Sequence, residues 1–124
     1  MRHCLIPLAI AASVATPALA HTKLAASSPA VNAAVAPIRS LKLTFSEKVM
    51  APMAGADVTM TAMPGMANHK PMRLNGLKVS WSPDGRTMTL TAGRPFPAGT
   101  YRVDWRAAGS DTHPMKGSYS FMVY

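Results

Sequence analysis

His21 directly follows Ala18-Leu19-Ala20, a small-x-small triplet of the kind at which secretory signal peptides are cut. Cleavage there gives His21 a free α-amine beside its imidazole. The amine nitrogen and the ring Nδ1 can close a six-membered chelate on one metal. Imidazole nitrogen suits Cu(II), which prefers tetragonal N/O surroundings. An amine with a pKa near 8 gives up its proton readily to a competing metal. The alternative is accident, since some residue must come first. A second pair of donors stands at Asp111-Thr112-His113. On extended backbone, side chains two apart point the same way, so carboxylate and imidazole would be presented together. Pro114 biases His113 away from helical backbone. The competing reading is a polar loop in which Asp111 makes a local turn bond.

A different chemistry is concentrated between Met60 and Met72, in Met60-Thr61-Ala62-Met63-Pro64-Gly65-Met66-Ala67-Asn68-His69-Lys70-Pro71-Met72. Four thioethers and one imidazole lie within this stretch. Thioether sulfur is soft and selects Cu(I) over harder ions. The spacing of Met60, Met63 and Met66 also suits one face of a helix packed in a core. Pro64-Gly65 argues against a continuing helix. Lys70 and Pro71 mark an exposed loop, where packing explains methionines poorly. Met50 and Met53 are auxiliary donors or, equally well, core residues.

Strands must carry these donors. Leu41, Leu43 and Phe45 alternate with polar residues, as do Leu77, Val79 and Trp81, then Met88 and Leu90. Tyr101, Val103 and Trp105 repeat the pattern, followed by Tyr119, Phe121 and Val123. Period two is the mark of half-buried strands. Weaker candidates are 23–27 and 58–62. Turn signals separate the runs, among them Asn75-Gly76, Asp84-Gly85, Pro97-Ala98-Gly99 and Lys116-Gly117. Asn-Gly and Asp-Gly supply the positive backbone angles of tight hairpins. About seven short strands at this spacing predict an all-β Greek-key sandwich or barrel. No long amphipathic helix, internal repeat or linker is evident.

The 124-residue length allows one domain. Residues 1–20 read as a signal peptide: Arg2 provides the positive start, and 5–15 is an apolar run too short to span a bilayer. The domain is then 21–124, with no further stretch long and apolar enough to span. Cys4, the one cysteine, precedes the apolar run, so neither a lipoprotein anchor nor a disulfide is expected. Removing Arg2 leaves 12 basic against 5 acidic side chains. The basic residues are scattered along the chain, whereas a nucleic-acid footprint clusters them on one face. No nucleic-acid partner is expected.

The chain resembles the bacterial copper-resistance protein C (CopC) family over its whole length after residue 20. The resemblance is carried by His21-x-Lys23-Leu24, Leu43-Thr44-Phe45-Ser46-Glu47 and Met60-Thr61-Ala62-Met63-Pro64-Gly65-Met66. It continues in Ala98-Gly99-Thr100-Tyr101-Arg102-Val103-Asp104-Trp105-Arg106 and in Ser110-Asp111-Thr112-His113-Pro114-x-x-Gly117-x-x-x-Phe121. It implies a cupredoxin-like, Ig-like Greek-key β-barrel in the periplasm. It also implies a Cu(II) site at His21, Asp111 and His113, with Glu47 sometimes counted among the ligands. Met60, Met63, Met66 and Met72 match the family's Met-rich Cu(I) motif. His69 matches its histidine once a one-residue insertion is allowed. The partners implied are copper ions, an inner-membrane copper-uptake protein and a multicopper oxidase. A monomer is expected.

Binding and transfer of copper is thus the expected function, with no catalysis. The rival is an oxidase or monooxygenase built on an N-terminal histidine chelate. Such an enzyme needs an open metal position and a substrate face, often aromatic. Here Phe45, Trp81, Tyr101 and Trp105 fall on inward strand positions, and Asp111 would fill a copper position. A metal-free adhesion module is a third reading; it explains the strands and neither the histidines nor the methionines.

Overall fold

A computed structural model describes residues 21–66 and 70–124. The expected signal peptide, 1–20, and His69 lie outside the described residues. The strands are β1 (Leu24–Ser28), β2 (Ala34–Val35), β3 (Ser40–Phe45), β4 (Gly55–Ala62) and β5 (Met72–Arg73), followed by β6 (Lys78–Trp81), β7 (Thr87–Thr91), β8 (Gly99–Ala108) and β9 (Pro114–Val123). They form two sheets, ordered β1-β3-β7-β6 and β2-β9-β8-β4-β5. All pairings are antiparallel except β2 with β9. Seven strands have four or more residues, and β2 and β5 are two-residue additions at the edges of the larger sheet. Among the described residues, no helix is long and apolar enough to cross a membrane.

Alternation makes the core. Leu41, Leu43 and Phe45 of β3 are fully buried, as are Tyr101 and Val103 of β8, and Phe121 and Val123 of β9 are nearly so. The Tyr101 and Phe121 rings stack at 5.3 Å, and Phe45 meets Trp105 edge-on at 5.5 Å. The Tyr101 hydroxyl donates to the Pro97 carbonyl at 2.6 Å, so its polar end is satisfied inside the fold.

Three sequence expectations change. Asp84-Gly85 does close the β6–β7 hairpin, with Gly85 at φ +69°. Asn75-Gly76 instead carries the chain from β5 in one sheet to β6 in the other, so it is no hairpin. Lys116-Gly117 lies inside β9 and is no turn. Gly117 sits opposite Trp105, and a Cβ there would stand 2.7 Å from the indole. Glycine thus makes room for the ring rather than for a bend. Val79 is 52% exposed, and Trp81 only half-buried, because β6 is an edge strand with a neighbour on one side only.

Candidate functional site

His21 reaches the barrel end through its neighbours in sequence. Ser46 N–H donates to the Lys23 carbonyl at 2.8 Å, and Lys23 N–H donates to Ser46 Oγ at 3.1 Å. Between them Thr22 is 1% exposed, and its hydroxyl donates to Glu47 Oε1 at 2.9 Å. Glu47 in turn lies against Gly109, where a Cβ would fall 1.6 Å from Oε1 and 2.5 Å from Thr22 Oγ1. Only a hydrogen fits at position 109. This buried clasp ties the start of β1 to the loop after β8, and that loop carries the other donors.

In that loop Thr112 N–H donates to the Gly109 carbonyl at 2.9 Å, and Thr112 has φ +59°. A β-branched residue rarely adopts this left-handed conformation. Asp111 and His113 are therefore presented by a turn and not by the extended backbone expected. Asp111 Oδ1 accepts from the His113 N–H at 3.1 Å, the local bond that the competing loop reading called for. Its other oxygen, Oδ2, lies 3.7 Å from His21 Nδ1. The rings of His21 and His113 are 4.8 Å apart, centroid to centroid. The fold thus gathers His21, Asp111 and His113 at one corner. The three adjoin without converging on a point: among the described residues, no three His, Cys, Asp or Glu side chains form a finished metal cluster. The carboxylate counted with less weight, Glu47, is engaged by Thr22.

A groove of about 810 Å³ runs beside this corner, lined in part by Glu47, Met50, Pro52, Trp81 and Thr112. Met50 N–H donates to the Ala108 carbonyl, which fixes the short 3-10 turn Ala51–Met53 to the end of β8. Met50 and Met53 are 40% and 39% exposed, so they are not core residues. Although near the methionine loop in sequence, they are tied to the histidine end, where Met50 lines the groove beside Glu47 and Thr112.

The thioethers gather elsewhere. Met63 and Met66 form an isolated antiparallel bridge around Pro64-Gly65, with the Met66 N–H on the Met63 carbonyl at 3.0 Å and Gly65 at φ +73°. This tight turn replaces any helix. Met72 pairs with Met60 across β5 and β4. Met66 and Met72 are 55% and 58% exposed, whereas Met60 is 6% exposed and belongs to the core. Sequence reasoning missed Thr22 and Gly109. Neither carries a pattern of its own, and their meaning lies in a contact between distant segments.

A two-sheet β-sandwich with imidazole and carboxylate at one corner and thioethers at a sheet edge has the donor set of a small metal-binding domain. The chain belongs to the CopC family: residues 24–124 match the CopC domain. It is 46% identical over 110 residues to the copper resistance protein C of Escherichia coli, covering 89% of this chain and 86% of that one. Its identity to the copper resistance protein C of Pseudomonas syringae pv. tomato is 47% over 106 residues, 86% of this chain and 82% of that one. Its fold is similar to the crystal structure of PcoC, a methionine-rich copper resistance protein from E. coli. There the TM-score is 0.76 at 44% identity, over 85% of this chain and 100% of the other. CopC from Methylosinus trichosporium OB3b is more distant, with a TM-score of 0.65 at 27% identity over 83% and 93% of the two chains.

Proposed function

We propose that this chain is a periplasmic copper-binding protein of copper resistance and homeostasis, a carrier that binds the metal and does not catalyse its chemistry. The observation that carries this reading is the meeting of His21 with Asp111 and His113, residues from opposite ends of the chain, at one solvent-open corner. Relatives of nearly half-identical sequence bear copper resistance in their names. Cu(II) is held by the imidazoles of His21 and His113, the Asp111 carboxylate and the α-amine of His21. That amine exists only after cleavage following Ala20, and its release lets residue 21 turn toward its partners. Glu47 serves the site by holding Thr22.

Cu(I) is held at the methionine loop by Met63, Met66 and Met72, with Met60 beneath them. Neutral thioethers favour the softer, singly charged ion. His21 and Asp111 have side chains 49% and 32% exposed, so copper can enter and leave by ligand exchange with a partner. The exchange partners are an inner-membrane copper-uptake protein and a multicopper oxidase.

Equilibrium dialysis of the processed protein against Cu(II) in air, and against Cu(I) without oxygen, tests the proposal. One equivalent of each ion, bound independently, is expected. A protein that retains neither ion is not a copper carrier.

A further inference from the structure

Met122 lies near the end of β9 on the outer face of the larger sheet and is 50% exposed. Its cross-strand neighbours, Thr100 on β8 and Ala34 on β2, are small and offer it little apolar surface. The same row continues from Thr100 to Ala62 on β4, and Met63 follows Ala62. Two strand spacings separate Met122 from Ala62, about 10 Å between backbones. Between them is a hollow of about 320 Å³, whose walls include Met63, Pro64, Thr100, Met122 and Tyr124. A thioether on a regular strand and one at the root of the methionine loop therefore open onto the same space. Met72 lies on the opposite side of β4, on β5. Met63 stands between Met72 on one flank and Met122 on the other.

We infer that Met122 is a further thioether ligand for Cu(I), closing on the ion together with Met63 and Met66 over this hollow. The inference rests on the reading of the methionine loop as a Cu(I) site. Its physical basis is the contrast in support. Met66 hangs from a single bridge, whereas the Met122 backbone is fixed on both sides by β2 and β8. A donor on a fixed strand loses less freedom on binding than one on a loop, so it adds more affinity for the same sulfur. The bridge holds Met66 next to Met63, which itself lines the hollow shared with Met122.

The processed protein, with its methionine methyl groups isotope-labelled, is titrated with Cu(I) under argon and followed by NMR. The Met122 methyl resonance is expected to shift with those of Met63 and Met66 and to saturate at the same equivalent. Met88, fully buried in the core, stays still. Met122→Leu is expected to lower Cu(I) affinity about tenfold, the smaller of the losses usual when a metal site loses a supporting group. Its Cu(II) affinity and melting temperature stay those of the parent. If Met63 and Met66 shift while Met122 does not, or if Met122→Leu binds Cu(I) like the parent, the inference is overturned and the loop site stands. If no loop methyl moves, the loop reading fails and takes this inference with it.

Discussion

At one end of the sandwich, Thr22 is 1% exposed and donates to Glu47, whose carboxylate leaves space for only a hydrogen at Gly109. At the other, Met66 and Met72 are more than half exposed and are held by a one-pair bridge and a two-residue strand. The difference follows from the donors. Imidazole, amine and carboxylate must be aimed and deprotonated before they bind, and orienting partners serve that purpose. Thioethers carry no proton and no charge, so a loosely tethered group can close on a soft ion as it arrives. On the proposed reading, a rigid corner and an adaptable edge are two solutions to holding one element in two oxidation states.

The largest effect expected falls on the rigid corner. Gly109→Ala places a Cβ where Glu47 Oε1 now lies, so the clasp must open. Overpacking together with a broken buried hydrogen bond costs about 3 kcal/mol. Urea denaturation should show that loss, and Cu(II) affinity should fall while Cu(I) affinity holds. Equal loss of both affinities would show that the two ends are not independent. Thr22→Val keeps the shape and removes only the donor to Glu47. A smaller cost of about 1–2 kcal/mol is expected, since an acceptor is left without its partner. Cu(II) affinity again falls alone; parental stability in the Thr22→Val protein would mean that the clasp does not hold the corner.

Alkali probes the frame that both ends share. Burial pushes the hydroxyls of Tyr101 and Tyr119 up to about 12. In an unfolded chain a tyrosine ionises near 10. The folded state therefore keeps a proton that the unfolded state loses, and stability falls as pH rises from about 10 to 12. In a Tyr124→Phe background, which removes the exposed third tyrosine, the tyrosinate absorbance of Tyr101 and Tyr119 should appear together with loss of the folded circular dichroism signal. Ionisation of both core tyrosines at pH 10 in a folded protein would contradict the packing described. The smallest effects separate the methionines. Met60→Leu, in the core, costs less than about 1.5 kcal/mol and changes Cu(I) affinity little. Met72→Leu, on the surface, leaves stability unchanged and weakens Cu(I) binding. Competition with a chromogenic Cu(I) chelator distinguishes the two.

Much of this was legible in the chain. Alternation located five of the seven longer strands, and β1 and β4 were the weaker candidates at 23–27 and 58–62; the signal is clearest in β3, β7, β8 and β9, where buried residues alternate with more exposed ones. It placed Tyr101, Trp105 and Phe121 inside and fixed the sandwich. It misjudged Val79, because period two does not tell an edge strand from a central one. Gly117 looked like a turn because glycine signals both bends and close approaches, and only the facing Trp105 decides which. β2 and β5 were invisible, since two residues carry no period. The donors were legible by type, and His21, Asp111 and His113 were named together. Their support was not: Thr22, Glu47 and Gly109 meet across distant segments, and nothing local in any of them announces the contact. Met60 shows the converse. Its residue type fits the soft motif, but its strand position turns it into the core.

The central claim is that the two ends sort copper by oxidation state. It is tested most directly by titrating three forms of the processed protein with Cu(II) in air and with Cu(I) under argon. These are the parent, a form acetylated at the His21 amine, and the Met60/Met63/Met66/Met72→Leu variant. Acetylation should lower Cu(II) affinity at least tenfold, a loss typical of damage to a metal site, and leave Cu(I) binding intact. The leucine variant should lose Cu(I) and bind Cu(II) as the parent does. If the leucine variant retains Cu(I) at parental affinity, or if acetylation leaves Cu(II) binding unchanged, the division of labour between the two ends is wrong.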